Sequence, residues 1–291
     1  MAILLDGKAL AFEIKAELKA RVDKLTASGR SVGLAAVLVG NNSASEAYVN
    51  NKAIFSEEIG VYSEIVRVSA KSSTMGLIAV LLALNDRPDI TGIIVQSPLP
   101  KSIDEREVSE AVLPHKDVDG FHPQNMGRLV LGRPGFVPCT PAAILEILNR
   151  YGHSPAGKHC VIVGRGNIVG KPLAIMLSEK SLGNATVTVC HSATRDLSHH
   201  TRQADILIAA TGRSLLIKGD MVREGVVVID VGINRIEDKS SPKGYRLVGD
   251  VDFDSVEKKA EAITPVPGGV GPMTVAMLLS NTVKAAERAR K

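Results

Sequence analysis

Tyr48 and Lys52 lie four residues apart in a run of helix formers, so their side chains share one helical face. A tyrosine can stack on a flat ring and hydrogen-bond at its tip, and a lysine can move protons once burial or neighbours lower its pKa. The same spacing also suits plain surface decoration. Gln96 closes the strand-like run DITGIIVQ and precedes Ser-Pro-Leu-Pro. An amide at that carboxyl edge would hold a lysine in place or merely cap the turn. Asp117 and Asp119 sit in the irregular stretch KDVDGF. A carboxylate there can accept two parallel N–H bonds from the edge of a heterocycle, or it can serve its own turn.

Residues 267–274, PGGVGPMT, hold three glycines and two prolines, a composition that argues against helix and against central strand. Helix formers follow, with Pro272 where a first helical turn tolerates it. A turn of this kind presents bare N–H groups. It points either to a ligand held close to the main chain or to a tight structural corner.

A third stretch suggests a nucleotide. HCVIVGRGNIVGKPLAIML reads as a strand, then Gly164, Gly166 and Gly170, then a helix. Its GxGxxxG spacing is one residue longer than the dinucleotide fingerprint, and a plain βα turn is the alternative. The next strand, ATVTVC, ends in Cys190-His191-Ser192 without the carboxylate that grips a ribose 2′-hydroxyl. Arg165 in the glycine loop and Ser192 together offer a cation and a hydroxyl, which suit a 2′-phosphate, so NADP is expected over NAD. Arg165 as a solvated loop charge is the other reading. Asp230-Val231-Gly232-Ile233 closes a later strand and puts Ile233 at the edge where doubly wound sheets bind ligands.

Alternating helices and strands must position these groups. The pattern predicts helices over 8–28, from Ser43 to Gly60, over 73–85 and over 104–113, and strands over 33–40, 61–68 and 90–96. Ser43 and Glu46 form the capping box of the second helix. Residues 114–138 read as an irregular Pro- and Gly-rich segment. Thr140-Pro141 starts a helix as N-cap and first-turn proline. A second unit then runs strand 158–163, turn 164–170, helix 171–181, strand 185–190, helix 196–204, strands 205–210 and 226–231, and the final helix. The expected fold is two α/β domains with parallel crossovers, joined by helices. The N-terminal catalytic domain would cover 1–138 and be completed by the returning C-terminal helix 272–291. A Rossmann-like NADP-binding domain would cover 139–271.

Composition agrees with that plan. The 291 residues are 45% hydrophobic but only 3% aromatic, without Trp, so the cores must be built from Val, Ile, Leu and Ala. The net charge of +4 is mild, and Lys284, Arg288, Arg290 and Lys291 suit a helix C-terminus, so no nucleic-acid partner is expected. Cys139, Cys160 and Cys190 lack CxxC spacing and His199-His200 lacks partner ligands, so neither disulfide nor metal is expected. MAILLDGKAL is too short for a signal peptide and no run approaches a membrane span, which points to a reducing cytoplasm.

VGNNSASEAYVNNK, VQSPLP, KDVDGF, VGRGNIVGKP and PGGVGPMT resemble, in order and approximate spacing, the motifs of bifunctional methylenetetrahydrofolate dehydrogenase/methenyltetrahydrofolate cyclohydrolases. The resemblance spans nearly the whole chain, and YVxxK with PGGVGPMT is its most specific part. It implies two α/β domains around a cleft, a homodimer formed through the NADP domains, and two consecutive one-carbon reactions. By this resemblance Tyr48 would stack on the folate, Lys52 would be the essential catalytic lysine, Gln96 would tune it, and Asp119 would anchor the pterin's amino edge. Gly164, Arg165, Gly166, Ser192 and Ile233 would contact NADP. The segment from Pro267 through Gly268, Gly269, Pro272 and Thr274 to Val275 would border folate and nicotinamide. Hydride would pass from the bridging methylene to NADP+, and water would then open the methenyl product to formyltetrahydrofolate while Lys52 shuttles protons.

Two positions depart from the family's pattern. Gly166 stands where Ser is common, which removes one hydroxyl contact to the cofactor, and Ser97 stands where Leu is usual, which changes packing. A monofunctional dehydrogenase and a non-enzymatic NADP-binding regulator are the alternatives. The joint presence of Lys52, Gln96 and Asp119 argues against both.

Overall fold

The computed structural model describes residues 2–241 and 244–289, and of Ser43 and Ala44 the backbone alone. Arg290 and Lys291, read above as part of the helix-end charge, lie outside the described residues. The chain divides into two compact units, one made of the residues up to Ala11 with Thr140–Thr274, the other of Phe12–Cys139 with the residues from Val275 on.

The first half runs β1 (Ile3–Leu4), α1 (Gly7–Ala27), β2 (Gly33–Val39), α2 (Ser43–Glu58), β3 (Tyr62–Val68), α3 (Thr74–Asn85), β4 (Gly92–Val95), α4 (Glu105–Ala111) and α5 (Pro123–Val130). The second half begins with α6 (Cys139–Arg150), β5 (His159–Val163), α7 (Gly170–Ser178), β6 (Thr186–Cys190), α8 (Leu197–Thr201) and β7 (Ile206–Ala209). It ends with β8 (Val227–Asp230), β9 (Asn234–Glu237), β10 (Tyr245–Val248), α9 (Phe253–Val256), β11 (Ala262–Ile263) and α10 (Val270–Arg288).

The unit that contains α2 is built on a three-stranded parallel sheet, β3-β2-β4. Every residue of β2 is buried, as a central parallel strand covered on both faces requires. Val37, Leu77, Leu81, Ile90 and Ile93 form part of the core on one side. The expected capping box of α2 rests on the Ser43 side chain. Asn42 Oδ1 accepts from Ser45 N at 3.0 Å, and Glu46 pairs with Arg67 of β3 at 2.9 Å; the Ser43 side chain lies outside the described residues. α3 is capped at its start by Ser73, which accepts from Gly76 N. At its other end the buried Lys116 donates to Asn85 O at 2.7 Å and to Arg87 O at 2.6 Å. Burial pulls this ammonium below the ordinary lysine range, while the nearby charges of Asp89 and Asp86 oppose the fall.

The other unit holds six parallel strands in the order β1-β11-β8-β7-β5-β6, with the antiparallel hairpin β9-β10 beside them. The first eleven residues therefore stand apart from the expected 1–138 domain. Ile3 and Leu4 pair with Ala262 and Ile263 and extend the larger sheet. The stretch 114–138 is also less irregular than its composition suggests. Pro123 occupies the first turn of α5, where its missing N–H costs nothing, and His122 Nδ1 accepts from Gln124 N at 3.0 Å. α6 starts at Cys139, so Thr140 sits inside the first turn instead of capping it, and its hydroxyl meets that of Thr274 at 3.2 Å. α10 starts inside PGGVGPMT, at Val270. Gly271 and Pro272 are tolerated because first-turn N–H groups have no partner within the helix. Among the described residues no helix is long and apolar enough to cross a membrane.

Lys116→Met keeps the aliphatic stem but leaves the α3 carbonyls unpaired. We expect a loss of about 1–3 kcal/mol in unfolding free energy, measured by chemical denaturation.

Candidate active site

Gln96 N donates to Val37 O at 2.9 Å, which carries the β4 ladder one residue further and fixes where the glutamine side chain leaves the sheet. α2 begins a few residues after β2 ends, at the same carboxyl edge. Lys52, half-buried on this helix, donates from Nζ to Gln96 Oε1 at 3.1 Å. The other end of the Gln96 amide donates to Ser97 O at 2.7 Å, so its oxygen is committed to the lysine. Tyr48 lies one turn before Lys52 with 52% of its surface exposed, a large ring left open to a flat ligand.

The two aspartates of KDVDGF divide the roles that their composition left open. Ile93 bridges Asp117 in parallel register, and Ile93 N donates to Lys116 O at 2.8 Å, which ties the loop to β4. Asp117 is buried and serves its own loop. Oδ1 accepts from Gly120 N at 3.1 Å and Phe121 N at 3.3 Å, and Oδ2 from His122 N and Asn125 Nδ2, each at 2.8 Å. Gly120 has φ +79°, and a Cβ there would lie 2.5 Å from the Val137 carbonyl carbon, so the turn admits only glycine. Asp119 is half-buried and has a different environment. Desolvation pushes its carboxyl above the usual aspartate range. The Lys52 ammonium opposes this rise, the charge of Asp117 adds to it, and the Cys139 thiol again opposes it. An ammonium, an amide oxygen and a carboxyl of raised pKa thus sit together at the edge of a small parallel sheet, one helical turn from an open tyrosine ring. This set can bind a polar heterocycle and move protons.

Two residues that hold this site escaped the sequence reading. Asn281 of α10 is buried and donates from Nδ2 to Val118 O at 2.9 Å and to Val137 O at 3.1 Å, on either side of Asp119 and Gly120. Its signal was an amide among the apolar residues of a helix. Cys139, considered above only for disulfides and metals, is buried with its thiol 3.4 Å from Val118 O. Burial raises that thiol well above its ordinary pKa, and the charge of Asp119 adds to the rise.

In the six-stranded unit, Gly164 follows β5 with φ +133°, and a Cβ there would lie 2.1 Å from Ala210 O. A Cβ on Gly170 would lie 2.2 Å from Gly164 O, so both glycines are required by the turn itself, whereas the space around Gly166 is open. α7 then starts at a Val169 cap that makes no side-chain hydrogen bond. Residues 165–168 are exposed, and so is Ser192 just past β6. Ile233 is 49% exposed beyond β8. A helix N-terminus without a side-chain cap, an exposed arginine and an exposed serine fit a dinucleotide diphosphate and an added phosphate. The segment 267–274 belongs to this same unit, and the start of α1 holds it. Lys8 N donates to Gly268 O at 2.9 Å, and a Cβ on Gly7 would lie 1.8 Å from Gly269 O. Pro267 is exposed, Gly268 and Pro272 are half-buried, Gly269 is buried, and Thr274 donates to Val270 O at 3.2 Å. Tyr48, Lys52, Gln96 and Asp119 therefore lie in one unit, and the glycine turn, Ser192, Ile233 and 267–274 in the other.

Comparison with known proteins assigns both halves of the chain to one family. Residues 5–119 match the tetrahydrofolate dehydrogenase/cyclohydrolase catalytic domain, and residues 138–290 match the NAD(P)-binding domain of the same family. A protein of Chloroherpeton thalassium named Bifunctional protein FolD is 56% identical over 289 residues, 98% of either chain. The crystal structure of the bifunctional FolD methylenetetrahydrofolate dehydrogenase/cyclohydrolase from Campylobacter jejuni is 49% identical and superimposes with a TM-score of 0.94 over 99% of each chain. The Trypanosoma brucei enzyme complexed with NADP cofactor and inhibitor is 40% identical, with a TM-score of 0.93 over 99% of this chain and 98% of its own. The chain belongs to the tetrahydrofolate dehydrogenase/cyclohydrolase family.

Proposed function

We propose that this chain oxidises 5,10-methylenetetrahydrofolate with NADP+ to 5,10-methenyltetrahydrofolate and hydrolyses that product to 10-formyltetrahydrofolate, with Lys52 as the proton-moving group. The chain is a bifunctional one-carbon enzyme like its relatives. The observation that carries the assignment of Lys52 is its 3.1 Å hydrogen bond to Gln96, with Asp119 within electrostatic reach.

Bound NADP+ supplies the hydride acceptor, and the chain's own residues supply alignment. Tyr48 offers its ring to the flat part of the folate. Asp119, when ionised, accepts from the amino edge of the pterin. Hydrolysis adds water to the cationic methenyl carbon and breaks its bond to one ring nitrogen; of the two protons that the water loses, one must reach that nitrogen and the other passes to solvent. Lys52 Nζ, held by the Gln96 carbonyl, carries the first. Arg165 and Ser192 take the 2′-phosphate, Gly164 and Gly166 leave room for the diphosphate at the α7 N-terminus, and Ile233 packs on the nucleotide. NADP in the Trypanosoma brucei structure supports this cofactor. Pro267, Gly268, Gly269, Pro272 and Thr274 are assigned to substrate contact on the motif resemblance. The proposal includes a cytoplasmic homodimer: β6 stands at the edge of its sheet with Val189 exposed, and all three cysteines are free thiols.

Lys52→Met should lower methenyl hydrolysis by about 100-fold or more, followed by the loss of methenyl absorbance, and a wild-type rate would remove Lys52 from the mechanism. In the coupled assay of methylenetetrahydrofolate with NADP+ against NAD+, Arg165→Ala should raise KM for NADP+ by about tenfold or more and hardly affect that for NAD+. Equal effects would refute the phosphate contact. Asp117→Ala should lower unfolding free energy by about 1.5–3 kcal/mol, whereas Asp119→Ala should keep the wild-type melting temperature and lose folate affinity. The reverse pattern would exchange their roles.

A further inference from the structure

Asp230 and Asp250 are two buried carboxylates that the proposed chemistry leaves unused. Asp250 Oδ2 accepts from Thr211 N at 2.5 Å, Thr211 Oγ1 at 2.9 Å and Gly212 N at 3.0 Å, and Oδ1 accepts from Asn234 Nδ2 at 2.9 Å. Asp230, the last residue of β8, accepts at 2.9 Å from each of Gly232 N, Asp250 N and Val251 N. Neither carboxylate has a Lys or Arg among these partners. Two acids this close in a buried region are costly, and the N–H and O–H donors around them offset that cost.

The surrounding backbone is shaped to admit them. A Cβ on Gly249 would lie 1.7 Å from Asp230 Oδ2, and one on Gly232 would lie 2.3 Å from Asp250 Oδ1. What the pair holds explains this arrangement. Thr211 and Gly212 directly follow Ala210, the residue whose carbonyl closes on Gly164 of the glycine turn. Gly232 and Asn234 flank Ile233, the exposed isoleucine beyond β8. One linked pair of carboxylates thus braces the loops after β7 and β8, at the carboxyl edge where a doubly wound sheet receives its ligand.

We propose that Asp250, fixed in place by Asp230, is a positioning residue for the dinucleotide: it holds 211–212 and 233–234 in the arrangement that the nucleotide requires. The inference rests on the reading that the nucleotide lies along this edge. A carboxylate that only stabilised the corner would affect both activities together, whereas a positioning role separates them, because Lys52, Gln96 and Asp119, the groups assigned to methenyl hydrolysis, lie in the other unit and none of the hydrogen bonds of Asp250 reaches 267–274.

The test uses the purified full chain, with NADP+ binding measured calorimetrically and methenyl hydrolysis measured in the absence of nucleotide. Asp250→Asn should weaken NADP+ binding by about tenfold or more while hydrolysis stays within about twofold of wild type. Thr211→Val, which deletes one donor to the same carboxylate and leaves the backbone bonds, should weaken binding in the same direction by less. Unchanged NADP+ affinity in Asp250→Asn overturns the inference, and so does a parallel loss of binding and hydrolysis. If Asp250→Asn does not fold, Thr211→Val decides by the same two readouts. Absence of NADP+ binding in the wild-type chain would defeat the proposed cofactor itself, a different outcome from any of these.

Discussion

Loops at the carboxyl edge of a parallel sheet lose the hydrogen bonds of the strand ladder just where ligand-binding groups must be held still. In each unit a buried aspartate supplies the missing acceptors. Asp117 gathers the backbone N–H groups of residues 120–122 and the amide of Asn125. Asp230 and Asp250 do the same for residues 211–212, 232 and 250–251. Each donor offsets part of the cost of keeping such a carboxylate in the interior, so the residues of each loop are held jointly. The groups assigned to chemistry then need no support of their own.

Asp117 and Asp119 show how far local environment separates two identical side chains two residues apart. Asp117 spends its acceptors on the main chain. Asp119 is left with burial, a neighbouring ammonium and a thiol, and its affinity for a proton rises. The Lys52 ammonium is the countervailing charge that keeps an ionised Asp119 accessible to a ligand. Proton-moving sites are commonly made this way, from groups whose surroundings push them apart.

Much of this was legible in the sequence, and what was not has identifiable physical causes. β2, α2, β4 and the β5–α7 turn stood out because a parallel strand buried on both faces is a continuous apolar run and a helix shows its period. β1 and β11 are two residues each, too short for any period, and their pairing joins residues far apart in the chain. α5 was hidden by Pro123 and Gly127, which read as turn signals although a first-turn proline is harmless. The last helix was expected from Pro272 and begins two residues earlier, at Val270, because Gly271 read as part of the turn. Lys52 and Gln96 could be named because motif and strand edge coincide, whereas Asn281 and Asp250 act through main-chain atoms more than thirty residues away and leave no local pattern.

The order of residues within the two units bears on how the chain is made. The six-stranded unit pairs Ile3–Leu4 with Ala262–Ile263, strands from opposite ends of the described sequence. The three-stranded unit has all its strands by Val95, yet Asn281, which pins the Asp119 loop, belongs to α10, far later in the chain. Neither unit corresponds to a contiguous stretch of translation product. The nascent chain therefore carries an unfinished sheet until β11 emerges and an unpinned loop until α10 follows.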